Sequence, residues 1–202
     1  MYNNHSSRLA DPRKIRICIC LLIMVVMAVG LTAVCFAADY TELGIQTGHG
    51  SLFDPQPEYG FTEVTLTYGY HADDWIKDHL NANPPGDWDF RITPALAIVT
   101  EPKSGVEVSC GFGFKVSTPV GKRLRPGFFA STGPMYTTVD TLEQSTRFNF
   151  GTYAGLSLEY KIDETQSVSL FKLIRHFSNG GVKEPNDGVN TNSWGVEYTW
   201  YH

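Results

Sequence analysis

The feature that most constrains the fold is a two-residue alternation of apolar and polar side chains, which recurs along the chain after residue 38. Within residues 105–117, for example, Val106 and Val108 flank Glu107. Because successive side chains of an extended chain point to opposite faces, this alternation predicts β-strands. Turn-forming residues separate eight such segments, at residues 41–50, 62–71, 88–99, 105–117, 124–138, 147–162, 166–178 and 190–201.

The polar face of these segments combines small residues with charges of both signs. Small side chains and opposite charges fit the narrow interior of an eight-stranded barrel, whose apolar outer face then contacts lipid. A closed barrel also satisfies every backbone hydrogen-bonding group inside a bilayer. We therefore predict an all-β fold, an eight-stranded antiparallel transmembrane β-barrel. The charged residues expected on the inner face are Glu63, Arg91, Glu107, Lys115, Arg125, Arg147, Glu159, Lys161, Arg175 and Glu197.

A soluble exported barrel with a ligand-binding interior is the alternative fold. It predicts the same strands with the apolar side chains turned inward, because a period of two does not identify which face is inside. The two folds therefore differ in the face that is buried, and the sequence pattern leaves both open.

The first 37 residues differ from the rest of the chain. Four basic residues between positions 8 and 16 precede an apolar run at residues 17–33, and small residues follow at Cys35 and Ala37. This order predicts a secretory signal peptide, residues 1–37, which is removed on export. The length of the apolar run makes a retained transmembrane anchor the alternative. Residues 38–202 then form the barrel as one domain.

Removal of residues 1–37 makes the remaining chain more acidic. The full chain has 16 basic and 21 acidic residues, of which four basic and one acidic lie in residues 1–37. Residues 38–202 therefore carry 12 basic and 20 acidic residues, a net charge of −8, which argues against nucleic acid as a partner. Only Cys110 remains of the four cysteines, so the domain must be stable without an internal disulfide.

The main candidate for chemistry lies at residues 175–190, around a glycine-rich turn. His176 and Ser178 are two residues apart in a predicted strand and therefore point to the same face. If residues 179–189 connect two antiparallel neighbours, Asn190 faces His176, with Cβ atoms roughly 5 Å apart. The three side chains could then act as nucleophile, base and orienting group on a lipid-embedded ester. The spacing alone also fits a structural turn, since SNGG favours turns for steric reasons.

The same stretch resembles the lipid A 3-O-deacylase (PagL-type acyloxyacyl hydrolase) family of outer-membrane β-barrels. That family has a motif close to R-H-x-S-N-A-G, followed by a Pro-Asn-x-Gly turn and the final strand. A weaker similarity runs through residues 127–136 and 147–160, so that the resemblance covers most of the chain after residue 38. The matching residues are Arg175, His176, Ser178, Asn179, Gly181, Pro185, Asn186 and Gly188, with Gly180 where the family often has alanine.

The resemblance implies a fold, a reaction and a location. The fold is an eight-stranded barrel with catalytic groups on its lipid-facing surface. The reaction is hydrolysis of the acyl chain ester-linked at the 3 position of lipid A, the lipid part of lipopolysaccharide, in the outer membrane of a Gram-negative cell. Ser178 is then the nucleophile and His176 the general base. The candidates for binding the oxyanion are Asn179, Gly180, Gly181 and Asn186.

The chain departs from this family at Asn190, where the family pattern has a glutamate. An asparagine carbonyl can accept a hydrogen bond from His176, but it cannot offset the imidazolium charge that forms during catalysis. Glu184 and Asp187, in the connecting turn, are the alternative acidic partners. The resemblance therefore leaves two possibilities, a serine esterase or a catalytically weak or inactive structural barrel of the same family.

No metal or cofactor is expected from the sequence motifs. Residues 38–202 contain no HxH, HExxH or CxxC spacing, which are the usual signs of a metal site. The GFGF sequence at residues 111–114 lies in an alternating segment with no helix after it, so it does not predict a phosphate-binding loop.

Overall fold

The computed structural model describes residues 38–50 and 59–202, which form antiparallel strands and a short helix. The predicted signal peptide, residues 1–37, and the alternative membrane anchor lie outside the described residues. Each predicted strand is present, with ends within about one residue of the predicted ones. The strands are β1 (Tyr40–Gly50), β2 (Phe61–His71), β3 (Asp87–Val99), β4 (Gly105–Ser117), β5 (Leu124–Thr137), β6 (Phe148–Lys161), β7 (Gln166–Ser178) and β8 (Val189–Tyr201).

The eight strands close into one antiparallel barrel, because each strand pairs with its neighbours in sequence and β1 also pairs with β8. The closing ladder runs from the pair Tyr40–Tyr201 to the pair Gly50–Thr191. Antiparallel order puts the connections after β1, β3, β5 and β7 at one end of the barrel, here called the loop end. Both chain termini of the barrel lie at the opposite end, here called the terminus end.

Apolar side chains cover the outside of the barrel and polar side chains face the lumen. In β1, for example, Leu43 and Ile45 are exposed, whereas Glu42 and Gln46 are buried. The transmembrane β-barrel predicted from the sequence is therefore confirmed. The alternative of a soluble barrel with an apolar interior is wrong, since the alternation is present but its apolar face is turned outward.

Ion pairs fill the middle of the lumen. Arg91 bonds to Glu42 and lies 3.1 Å from a carboxylate oxygen of Glu197. Lys115 lies 3.5 Å from Glu42 and 3.3 Å from Glu159. Charges removed from water are stable only when they are paired and hydrogen-bonded. The pairs also join strands on opposite sides of the lumen. A cavity of about 50 Å³ remains beside them, enough for a few water molecules.

An apolar cluster closes the lumen at the loop end. It contains aromatic and aliphatic side chains from five strands and the residues next to them, and its rings pack edge to face where Tyr59 meets Phe177, with centroids 5.5 Å apart. With the ion pairs below it, this cluster makes the barrel a packed structure. Its members are Tyr59, Phe61, Ala97, Val99, Met135, Val139, Phe177 and Val189.

The helix α1 (Asp73–Leu80) lies in the connection between β2 and β3 at the terminus end. Ile76 is its buried residue, and Asn81 ends it in the left-handed conformation with φ of 47°. The Asp73 carboxylate accepts the backbone N–H of Trp88 at 3.2 Å, which ties the helix to β3. Within residues 38–50 and 59–202, no helix is both long and apolar enough to cross a membrane.

Strand β7 breaks the alternation in its middle, for a reason that lies in the packing. Phe171 and Leu173 face the lumen and form a small apolar cluster with Tyr153. Lys172 faces outward, where its Nζ atom lies 5.0 Å from the centroid of the Trp194 ring. This cation–π contact offsets part of the free-energy cost of placing a charge on the apolar outer face.

The outward position of Ile45 provides a test of the orientation of the barrel. Ile45 is 52% exposed and lies between Val64 and Val196 in the sheet. Because Ile45→Arg places a charge in hydrocarbon, we expect it to lower the free energy of unfolding in phospholipid vesicles by about 2–4 kcal/mol. Urea unfolding followed by tryptophan fluorescence measures the change. Ile45→Ala is the control, and an arginine tolerated as well as alanine would show that this face meets water.

Candidate functional site

His176 and Asn190 face each other across the pair formed by β7 and β8, on the outside of the barrel near its loop end. The Nδ1 atom of His176 lies 2.9 Å from Oδ1 of Asn190. An amide oxygen can only accept, so this contact requires a hydrogen on Nδ1. In the neutral ring the other nitrogen, Nε2, then has a free lone pair and can take up a proton.

Ser178 lies on the same outer face, two residues beyond His176 at the end of β7. Both side chains are half-buried. Within residues 38–50 and 59–202 the His176 ring has no hydrogen bond to Ser178, and its hydrogen-bond partner is Asn190. Alternate residues of a strand are spaced by roughly 6.5 Å, so the two side chains must lean toward each other to exchange a proton.

Gly188 packs against the His176 ring. A Cβ atom added at Gly188 would overlap Cε1 of His176 and would lie 3.1 Å from Nε2. The backbone of Gly188 therefore packs directly against the imidazole, and a side chain at this position would collide with the ring. Gly188 also has φ of 78°, a conformation that favours glycine. The sequence motif contains this glycine, but the contact with His176 appears only in the folded chain.

Asn179 and Asn186 organise the turn that follows Ser178. The backbone N–H of Asn179 donates to Oδ1 of Asn186 at 2.8 Å. The side-chain amide of Asn179 donates to the carbonyl of Lys183 at 2.7 Å, and its oxygen accepts the N–H of Val182 at 3.0 Å. The polar groups of the buried Asn179 side chain are thus engaged inside the turn, as expected for a residue that shapes the backbone.

Gly180 and Gly181 present their backbone at the surface of this turn. Their φ values are 68° and 78°. A Cβ atom at Gly181 would have no neighbour within 4 Å, and one at Gly180 would only approach Phe150. In the described part of the chain neither N–H group donates a backbone hydrogen bond. Two consecutive unpaired N–H groups beside a serine can bind an oxyanion.

The connection between β5 and β6, residues 138–147, holds the turn from outside. The N–H of Ser145 donates to the carbonyl of Pro185 at 3.1 Å, and that of Asp187 donates to the carbonyl of Glu143, also at 3.1 Å. The hydroxyl of Ser145 donates to the carbonyl of Lys183 at 2.9 Å. No motif in residues 138–147 predicted this contact, because it depends on how two loops meet.

The acidic residues of the turn are not in contact with His176. Glu184 and Asp187 have exposed side chains, and none of the ion pairs in the described residues joins either to the imidazole. The neighbour of His176 on the other side is Thr152 of β6. Register within the barrel brings Thr152 to the site, and sequence reasoning missed it because β6 is distant along the chain.

The outer face of β6 forms an apolar wall beside Ser178. Phe150 pairs with Ser178 in the sheet, and its ring meets that of Phe148 edge to face at 5.5 Å. The site thus combines a polar row, Thr152, His176 and Asn190, with an aromatic surface suited to an alkyl chain. No group of three or more His, Cys, Asp or Glu side chains within the described part of the chain could hold a metal ion.

Comparison with known proteins extends this description. A family model described as lipid A 3-O-deacylase (PagL) matches residues 39–199. A crystal structure of the outer membrane enzyme PagL has 18% sequence identity and a TM-score of 0.54, and the match covers 80% of this chain and 99% of that chain. A crystal structure of Neisserial surface protein A (NspA) has 10% identity and a TM-score of 0.56, with coverage of 81% and 96%. No curated protein sequence matches the chain.

The contact between Gly188 and His176 predicts a specific effect of Gly188→Ala. The new methyl group would displace the imidazole, so we expect the hydrogen bond to Asn190 to be lost. Gly181→Ala is a matched control, because φ is 78° at both glycines and each alanine carries a similar backbone cost of about 1–2 kcal/mol. NMR of the ¹⁵N-labelled histidine ring measures the bond in each variant. A ring that is equally undisturbed in both would contradict the positioning role of Gly188.

Proposed function

Because the family model matches residues 39–199, the chain belongs to the lipid A 3-O-deacylase (PagL) family, and we propose that it hydrolyses the acyl chain ester-linked at the 3 position of lipid A. The observation that carries the proposal is the hydrogen-bonded pair of His176 and Asn190 with Ser178 on the same outer face. A lipid ester in the bilayer reaches this face directly, whereas the lumen is packed with side chains. A membrane-embedded lipid is therefore the substrate class that fits.

The reaction begins with attack of the Ser178 hydroxyl on the ester carbonyl, while Nε2 of His176 takes the hydroxyl proton. The bond between the acyl carbon and the sugar oxygen then breaks, and His176 gives the proton to that oxygen as it leaves. This step produces lipid A with a free 3-hydroxyl and an acyl group on Ser178. His176 then takes a proton from a water molecule, which attacks the acyl carbon. The bond from that carbon to Oγ of Ser178 breaks, His176 returns the proton to Oγ, and the fatty acid is released.

The hydrogen bonds of the turn show which of the oxyanion donors are already engaged. The side-chain amide of Asn179 already donates to the Lys183 carbonyl. Asn186 uses its Oδ1 atom to accept the Asn179 N–H, which leaves its Nδ2 group available as a donor. The N–H groups of Gly180 and Gly181 have no such partner within the described residues. Fixed donors of this kind stabilise the charge that develops on the carbonyl oxygen.

Asn190 orients His176 in this mechanism and supplies no charge. Its carbonyl holds the hydrogen on Nδ1 and leaves Nε2 as the base. An imidazolium forms when Ser178 loses its proton, and a neutral amide stabilises it less than a carboxylate. This difference, together with the lack of a hydrogen bond between Ser178 and His176, favours the second candidate function, a structural barrel of the same family with weak or no activity.

The proposed location is the outer membrane, reached after removal of the signal peptide. In outer-membrane barrels the longer connections face the outside of the cell. Three of the four connections at the loop end, among them residues 138–147 and 179–188, have ten residues each. At the terminus end residues 118–123 and 162–165 are shorter, and residues 72–86, which contain α1, are the exception. The site would then face the outer leaflet, where lipid A lies.

The esterase proposal predicts a change in the mass of lipid A. Cells of a Gram-negative host that produce the protein should contain lipid A that lacks one hydroxyacyl chain, and the loss should disappear with Ser178→Ala, which removes the nucleophile. Mass spectrometry of extracted lipid A measures both. Ser193→Ala is a useful control, since Ser193 lies in the neighbouring strand β8 and faces the lumen. Unchanged lipid A with well-folded wild-type protein would contradict the esterase and favour the structural barrel.

The role of Asn190 predicts that Asn190→Glu raises the turnover. A glutamate carboxylate would accept the same hydrogen bond and also stabilise the imidazolium, and in a serine-protease triad the reverse change lowers turnover by about 10⁴-fold. The rate of release of hydroxy fatty acid from purified lipid A in detergent micelles measures the effect. Asn192→Glu, two residues further along the same face, controls for an added charge. Equal or lower turnover would mean that Asn190 does not occupy the third position of the triad.

A further inference from the structure

Behind the candidate site, inside the barrel, lies the side chain of Arg175. It precedes His176 in β7 and therefore points to the opposite face, where only 1% of it is exposed. None of the catalytic steps uses it. A buried guanidinium is stable only with paired acids and hydrogen bonds, so its partners indicate which parts of the barrel it holds together.

Arg175 connects β7 to strands across the lumen. Its Nη1 atom lies 2.7 Å from Oε2 of Glu107 in β4 and 3.8 Å from Oε2 of Glu63 in β2. The guanidinium carbon also lies 4.1 Å from the ring centroid of Phe61 and 5.2 Å from that of Phe177. Charge-assisted bonds and cation–π contacts from several directions restrict this side chain to one position.

Arg175 also bonds to the strand that carries Asn190. Its Nε atom donates to Oγ1 of Thr191 at 3.2 Å, and the two residues face each other across β7 and β8. Along both strands this inner pair is adjacent to the outer pair of His176 and Asn190. One hydrogen bond inside the barrel and one outside it thus join the same two strands at the same level.

We propose that Arg175 is a positioning residue for the hydrolysis, which acts through the backbone of β7 and β8 to hold His176 in line with Asn190. The inference rests on the proposed function and adds a residue to it. When a strand rotates about its axis, its inner and outer side chains move together. Anchoring of Arg175 in the lumen therefore limits the movement of His176 on the lipid face. Small displacements of a catalytic group strongly lower the reaction rate.

The lumen contains a second arginine that serves as a control. Arg91 in β3 is also buried and also contacts two glutamates, Glu42 and Glu197. It lies in a strand that does not border the site. Loss of Arg91 should therefore reduce the stability of the barrel in the same way as loss of Arg175, without affecting the alignment of His176.

The first experiment compares Arg175→Met with Arg91→Met in the full-length protein. We expect Arg175→Met to lower kcat for lipid A by about tenfold or more with KM nearly unchanged, because a misaligned base slows chemistry more than binding. Arg91→Met should leave kcat of the folded protein nearly unchanged. Heat-modifiable migration in gels measures the folded fraction, so that rates are compared per folded molecule. Similar kcat values for the two variants would overturn the proposal.

A double-mutant cycle tests whether Arg175 acts through Asn190. In an Asn190→Ala background the alignment is already lost, so Arg175→Met should cost far less than in the wild type, whereas Arg91→Met should have the same small effect in both. Arg175→Lys keeps the charge toward Glu107 but lacks Nε, so we expect partial rescue. Additive effects of Arg175→Met and Asn190→Ala would show a merely structural role and overturn the proposal.

Two further measurements keep the test decisive if a variant fails. If Arg175→Met does not fold, Thr191→Val, which removes only the acceptor of the inner bond, should lower kcat by about three- to tenfold, and an unchanged kcat would overturn the proposal. If the wild type shows no hydrolysis, the proposed function fails, and ¹⁵N NMR of His176 decides the inference. The bond to Asn190 should be lost in Thr191→Val and kept in Arg91→Met, and its retention in both would overturn the inference.

Discussion

The requirement that every backbone N–H and C=O group in the bilayer finds a partner within the chain governs this structure. The barrel meets it by pairing each strand with its neighbours and closing β1 onto β8. Closure leaves no strand edge, and it divides each strand into one face toward lipid and one toward the lumen. The distribution of the apolar, charged and candidate catalytic side chains follows from that division.

The narrow lumen accounts for the place of the site. Eight strands leave space for side chains only, and the charges there stabilise the barrel as pairs such as Arg91 with Glu42. With an apolar cluster around Phe177 at the loop end, the interior has no room for a lipid. The proposed reaction on a lipid therefore requires the outer wall, where Ser178, His176 and Asn190 lie among exposed apolar residues.

Strand β7 has one face toward lipid and one toward the lumen, so the geometry of the candidate site depends on contacts throughout the barrel. Its outer residues include His176 and Ser178, while Arg175 and Phe177, which alternate with them along the strand, are anchored in the lumen. The turn after Ser178 is held in turn by residues 138–147. The geometry of the candidate site on the lipid face therefore depends on contacts in the lumen and in residues 138–147.

The strands, and the shared face of the candidate site residues, could be predicted from the amino-acid sequence. Period-two alternation marked each strand to within about one residue of its ends, and parity put His176, Ser178 and Asn190 on one face. The amino-acid sequence could not show which face is outside, because the alternation is the same in both orientations. It also could not rank Asn179 against Gly180 as an oxyanion donor, since each donor's availability depends on its hydrogen bonds. The outward orientation, the packing of Gly188 against His176, the bond from Arg175 to Thr191 and the place of Thr152 beside His176 appear only in the folded barrel. These contacts depend on the register of paired strands and on the course of the turn between them, which side-chain alternation does not specify.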